Sequence, residues 1–167
     1  MKILTLHCDY IRYQAVKKAL KDAEELPDLE MHEVKEPLVV LTSIEQGDDE
    51  DTVKQLIEAV EKTAKEVKAS NIVLYPYAHL SSNLAKPAIA LELLKDAESK
   101  LKKNFKNVYR APFGYYKTFE LKCKGHPLSE LSKEFRDSGT KEIISSKPEI
   151  KKQQSSGKIV LDRSKLQ

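Results

Sequence analysis

Residues able to do chemistry gather in two segments of the chain. One is Tyr75-Pro-Tyr-Ala-His79. The other is the run from Ala111 to Glu130, which holds Tyr115, Tyr116, Lys117, His126 and Glu130. A lysine beside a carboxylate, such as Lys117 with Glu130, can orient water or a hydroxyl group. A buried lysine can also stabilise negative charge as it develops. Plainer roles remain open to each residue. Lys117 can snorkel from a strand end, His79 can be an ordinary loop residue, and Tyr115 and Tyr116 can be core aromatics with wet hydroxyls. His126, just before Pro127, can cap a helix, and Glu130 can be a surface helix charge. The four histidines, at positions 7, 32, 79 and 126, lack metal-ligand spacing, so no metal is expected. With five glycines in all, there is no P-loop and no dinucleotide fingerprint, and no G-x-S-x-G elbow occurs.

The elements that must position these residues follow from hydrophobic period. Ile3 to Cys8 reads as a strand, and the alternation from Tyr10 suggests a second strand that gives way to irregular or helical chain between Ala15 and Glu25. Pro27 to Glu36 is acidic and reads as a loop. Leu38 to Ile44 is a β-branched run between Pro37 and Gly47, apolar on both faces at first, as in a central strand. Acidic residues 48–51 then precede Val53, Leu56, Ile57, Val60, Ala64 and Val67, which repeat at helical spacing. Asn71 to His79 is a buried strand whose Pro76 demands an edge or a bend. Pro87 opens a second helix, with Ala90, Leu91, Leu94 and Leu101 inward. Asn107 to Ala111 forms a short strand. In the next strand Lys117, Phe119, Leu121 and Cys123 share one face and Thr118, Glu120, Lys122 and Lys124 the other. Gly125 ends that strand. Pro127, Leu128, Leu131 and Phe135 predict a third helix, on which His126 and Glu130 would share a face. The order implies an α/β or α+β single domain with its site at the strand ends.

Composition bounds the rest. The 167 residues are enough for one domain and a tail, and a net charge of +3 does not by itself imply nucleic-acid binding. Lys95, Lys100, Lys102, Lys103, Lys106 and Arg110 form either a phosphate-facing patch or a solvated helix end. Cys8 and Cys123 suggest no disulfide framework, and a reducing compartment fits. No apolar run approaches the ~20 residues needed to span a bilayer. A soluble, cytoplasmic protein is the expectation. From Ser138 to Gly157 the chain reads as a linker, with Lys158–Leu161 as a small strand at most.

Several blocks carry a family resemblance: Met1–Tyr10, Tyr75-Pro-Tyr-Ala-His-Leu-Ser-Ser82, Leu84-Ala-Lys-Pro87, Ala111-Pro-Phe-Gly-Tyr-Tyr-Lys117 and Cys123-Lys-Gly-His-Pro-Leu-Ser-Glu130. In order over residues 1–136, they resemble the N-terminal editing domain of archaeal threonyl-tRNA synthetases, with residues 137–167 as a tail towards a synthetase catalytic domain. The resemblance implies a fold like that of D-aminoacyl-tRNA deacylases, here a mixed sheet with three helices, and a homodimer. It implies hydrolysis of L-serine wrongly attached to threonine tRNA, sparing threonine, with the terminal 2′-hydroxyl assisting and without metal or cofactor. It also implies roles. Lys117, Glu130 and Tyr116 would be catalytic: Lys117 would hold the amino-acid end and water, and Glu130 would polarise that water or orient Lys117. His79 and Tyr116 would contact substrate and terminal adenosine, backbone near Ile44 and Ala78 would line the pocket, and Tyr115 and His126 would complete the substrate-binding set. Tyr77 stands where the family often has Phe, and no class II synthetase motif is present, so a catalytic domain would act in cis from a longer chain or in trans. Two other readings compete: a D-aminoacyl-tRNA deacylase, and a non-catalytic tRNA-binding or dimerisation appendage.

Overall fold

A computed structural model describes residues 1–136. The expected linker and the small strand at Lys158–Leu161 lie outside the described residues. Seven strands and two helices run in the order β1 (Lys2–Lys18), β2 (His32–Lys35), β3 (Pro37–Ser43), α1 (Glu50–Val67), β4 (Asn71–Pro76), α2 (Pro87–Asn104), β5 (Asn107–Arg110), β6 (Tyr115–Cys123) and β7 (Glu130–Glu134). A single 3₁₀ turn, Ala78–Leu80, lies between β4 and α2.

β1 is one continuous strand where the sequence suggested two. Its first half pairs antiparallel with β3 and β7, and its second half with β2 and β6. β3, β4 and β5 continue the first sheet in parallel, joined by α1 and α2 as crossovers. A bulge makes the long strand workable. Cys8 faces Cys123 and Tyr10 faces Lys122, so Asp9 is one residue too many on β1. The extra residue reverses side-chain parity. Leu6 and Cys8 before it, and Ile11 and Tyr13 after it, therefore join one apolar cluster with Val39, Leu41, Val73 and Tyr75. On the opposite face Ile3, Leu38, Val40, Ile72 and Leu74 pack against Leu56, Val60, Leu94 and Leu101 of the helices. β3 is buried at every position, as its apolar run suggested.

Local chemistry explains the helix ends. Asp49 caps α1, accepting from the N–H groups of Asp51 and Thr52, while the Thr52 hydroxyl accepts from Asp49 N–H in a reciprocal box. Pro87 sits in the first turn of α2, where its missing N–H costs nothing. Pro76 is tolerated because β5 pairs β4 only as far as Leu74, which leaves the proline on a free edge.

Three expectations fail. The third helix is absent: Glu130–Glu134 is a strand lying against Lys2–Leu6. Leu128, Leu131 and Phe135 do have helical spacing, but β1 offers a full edge of hydrogen bonds. The Phe135 N–H donates to the Met1 carbonyl at 2.8 Å, and a ladder of this kind outweighs local propensity. The chain past Ala15 stays extended to Lys18 because Thr118 to Tyr115 of β6 pair with it. Within the acidic segment expected to be a loop, His32–Lys35 pairs with Tyr10–Tyr13.

Candidate functional site

The first sheet and the β1–β6 ribbon diverge beyond the ends of β3 and β4, and a cleft of about 430 Å³ opens between them. Parallel strands end at this side of the sheet, where neighbouring connections leave a crevice. One wall is Thr42–Ile44, Tyr75–His79 and the start of α2. The other is Ala19, Leu20, Phe113–Lys117 and Phe119. Rings dominate the floor. Tyr75 meets Phe119 edge-on at 5.5 Å and Tyr77 meets His79 at 5.1 Å. The Tyr77 N–H donates to Thr42 carbonyl and the Ala85 N–H to Ile44 carbonyl, fixing the loops after β3 and β4 to each other.

Lys117 reaches into this apolar cleft from β6. Its Nζ donates to the carbonyl oxygens of Pro112 at 2.8 Å and Tyr115 at 3.3 Å, and lies 5.1 Å from the Tyr75 ring centre. It does not snorkel. Burial pushes its ammonium down to about 8, opposed by the charge of Glu24. Burial likewise raises the Tyr75 hydroxyl. A cation held by two carbonyls and a ring, in a cleft lined mainly by apolar groups, is suited to meeting an anionic or carbonyl oxygen.

Ile44, Ala78, His79, Tyr115, Tyr116 and Lys117 all line the same cleft. Tyr116 stands 58% exposed at its mouth. Glu130 and His126 do not line it. Glu130 starts β7 opposite Leu6, whereas Lys117 lies opposite Ala15, nine residues further along β1. At about 3.3 Å per residue, roughly 30 Å of strand separates them. His126 instead contacts His7, Nε2 to Nδ1 at 2.7 Å, and its Nδ1 accepts from Leu128 N–H at 3.2 Å. With a strand in place of the third helix, His126 and Glu130 do not share a helix face.

Two residues of the site's surroundings were not singled out as site residues in the sequence. Glu24 sits in the acidic stretch before β2, and Arg110 was grouped with the basic patch. Arg110 in fact points inward, paired with Glu24 and Glu98. Of the same patch, Lys100 pairs with Asp96 and Lys102 with Glu98. Nothing in the chain joins residues 86 positions apart, so no local signal marks the Glu24–Arg110 pair. Among the described residues, no three His, Cys, Asp or Glu side chains gather as a metal site, and no helix is long and apolar enough to cross a membrane.

Comparison with known proteins gives a consistent likeness. Residues 1–135 match the family described as the archaea-specific editing domain of threonyl-tRNA synthetase. The chain is 51% identical over 137 residues to a threonine–tRNA ligase of Methanobrevibacter smithii, covering 80% of this chain and 22% of that protein. It is 48% identical over 155 residues to the enzyme of Staphylothermus marinus, covering 92% of this chain and 25% of that one. The corresponding figure for Thermococcus onnurineus is 43% over 158 residues, again 92% and 25%. The chain thus spans about a quarter of the length of these relatives. Among solved structures, the c-Myc DNA unwinding element binding protein shares the fold at a TM-score of 0.60 and 11% identity, over 84% of this chain and all of that one.

Proposed function

The chain belongs to the archaea-specific editing-domain family of threonyl-tRNA synthetases, and from that premise we propose that it hydrolyses L-seryl-tRNA(Thr) and spares threonyl-tRNA(Thr). One observation carries this reading. Lys117, Tyr116, Tyr115, His79, Ala78 and Ile44, drawn from four separate segments, line a single cleft. The cleft is open on one side, as a tRNA 3′ end requires.

In the proposed reaction, water adds to the ester carbonyl carbon and the carbonyl oxygen becomes an oxyanion. The bond to the ribose 3′ oxygen then breaks; of the attacking water's two protons, one is lost to solvent as serine leaves as its carboxylate and the other passes to that oxygen. The 2′-hydroxyl next to it is the nearest group able to pass that proton. Lys117, an ammonium at neutral pH in a cleft lined mainly by apolar groups, faces the developing negative charge. The aromatic floor of Tyr75, Tyr77 and Phe119 accommodates the adenine, with His79 and Tyr116 at the ribose and amino-acid ends. A threonine methyl is worth only ~1–3 kcal/mol to a pocket, so discrimination comes either from a clash with the methyl or from its displacing the attacking water.

Glu130 enters this scheme through a homodimer. Glu130 is absent from the cleft lining and lies nine residues along β1 from Lys117, so its direct role is proposed to come from a second copy. Mixing Lys117→Met and Glu130→Ala proteins, each inactive alone, would place one intact pair in each mixed dimer. Recovery of activity supports the shared site, and none on confirmed mixing removes Glu130 from it. In the family's context the partner domain is a threonyl-tRNA synthetase catalytic domain, in cis or in trans, and the setting cytoplasmic.

The primary test is single-turnover deacylation of Ser-tRNA(Thr) and Thr-tRNA(Thr) by this chain. Rapid loss of serine with threonine retained is expected. Binding without turnover, steeply weakened by salt, would leave a tRNA-binding appendage instead. Hydrolysis of D-aminoacyl esters with L-seryl and L-threonyl esters spared would favour a chirality filter.

A further inference from the structure

The segment after β1 doubles back over the turn that precedes β6. The N–H groups of Ala19 and Leu20 donate to the Gly114 carbonyl at 2.8 and 3.2 Å, and the Tyr115 hydroxyl donates to the Glu24 carbonyl at 2.7 Å. Gly114 has φ +82°, and a Cβ there would lie 2.9 Å from that of Ala23, so the two segments are in close contact. The Glu24 carboxylate does two things at this contact. Its Oε1 accepts the Phe113 N–H at 2.9 Å, and both its oxygens take the Arg110 fork at 2.7 and 3.1 Å. Arg110 is held in turn through Nε, which donates to Glu98 of α2 at 3.1 Å. Glu24 and Arg110 are only 14% and 11% exposed in their side chains.

The Phe113 N–H belongs to the same peptide group as the Pro112 carbonyl, and that carbonyl accepts the Lys117 ammonium. A peptide group is planar and trans, so gripping its N–H aims its C=O. We propose that Glu24, oriented by Arg110, is a positioning residue for Lys117, fixing the ammonium in the cleft through the shared Pro112–Phe113 peptide. Hydrogen bonds in series also polarise one another, so a carboxylate on the N–H makes the carbonyl a better acceptor. The charge acts in the same direction, since Glu24 favours the ammonium against its burial. The other titratable groups around the cleft are Tyr75 on β4, Tyr77 and His79 beyond it, and Tyr115 and Tyr116 on β6, with Arg110 and Glu98 behind Glu24. Among the described residues no other carboxylate acts on Lys117.

The inference rests on the deacylation reading for its kinetic consequence but not for its geometry, and the test separates the two. Glu24→Gln keeps an acceptor for Phe113 and removes the charge, whereas Glu24→Ala removes both. The Lys117 side chain is followed by its ¹³Cε resonance in lysine-labelled protein, assigned by its loss in Lys117→Met. In Glu24→Gln the Lys117 titration should move to lower pH by roughly half a unit or more, and the pH profile of single-turnover deacylation should move with it. Glu24→Ala should in addition lower the rate ~10-fold or more, since displaced catalytic groups are costly. Arg110→Lys, which keeps the charge but loses the fork, serves if the Glu24 variants do not fold, and should change the Lys117 resonance. An unchanged Lys117 titration in the folded variants overturns the proposal, whatever the rates. A shifted titration in a protein that never deacylates would uphold it and sink the proposed reaction.

Discussion

The cleft separates two halves built on different terms. On one side β3, β4 and the helices form a dry core in which Leu38, Val40, Leu56, Val60, Ile72 and Leu94 are essentially inaccessible. On the other, β6 is wet although the β1 strand it pairs with is not: β6 has no fully buried residue, and Phe119 is 44% exposed. The dry half contributes mainly backbone and rings to the cleft, whereas the wet half contributes Lys117. The difference is physical. A fully buried sheet cannot carry an unpaired ammonium, but a half-exposed strand can lead one into a cleft where carbonyls receive it. Rigidity and charge are supplied from opposite sides, and the reaction is proposed to occur where they meet.

This contrast can be broken by substitution. Lys117→Met should reduce Ser-tRNA(Thr) deacylation by ~10³-fold, about 4 kcal/mol in the transition state, while circular dichroism stays near wild type and thermal stability does not fall. Equal activity would take the chemistry away from the ribbon. Leu56→Ala, in the dry half, should cost about 3 kcal/mol in urea denaturation. Phe119→Ala, in the wet half, should cost about 1 kcal/mol, because much of the ring already faces water. Parity between these two would erase the distinction between the halves. The capping substitution Asp49→Ala should also cost about 1 kcal/mol, read the same way.

A further effect is pH-linked. Burial holds Lys117 at about 8 against an ordinary 10.5. Between those values the unfolded chain binds the proton that the folded one releases, so this residue makes stability rise with pH. Below about 8 both states are protonated and its contribution is an unfavourable constant. Above pH 9 the Cys8 thiol, pushed up to about 12 by burial, opposes folding in both proteins, so in denaturation between pH 7.5 and 9.5 wild type should gain stability relative to Lys117→Met. A parallel response in both would place the ammonium in water. The window stops short of 10, where raised tyrosines such as Tyr13, pushed up to about 12, oppose folding instead.

How far all this was legible in the chain depends on range. β3 and α1 stand out because a β-branched run and a heptad-like spacing are local signals, and the acidic start of α1 is its cap. The cleft residues Tyr75–His79 and Tyr115–Lys117 were visible as motifs at strand ends. β7 was misread because Leu128, Leu131 and Phe135 satisfy a helical pattern, and only the edge of β1, over a hundred residues earlier, decides otherwise. The surroundings of Lys117 were hidden for the same reason: the carbonyls of Pro112 and Tyr115 that it meets carry no side-chain signal, and the charge of Glu24 comes from a segment over ninety residues earlier.

β1 also has a consequence for biosynthesis. It leaves the ribosome before the rest of this domain, yet one flank of it gains β6 and β7 only after residues 115–134 have emerged. Until then, the nascent domain holds a seventeen-residue strand with an open edge. Such long-range closure is slow, and open edges invite pairing with other chains. The helices and β3–β5 can condense during translation, but the wall that carries Lys117 is assembled last. A chain released before β6 would therefore lack that wall of the cleft, and without β6 and β7 it would be prone to associate through β1.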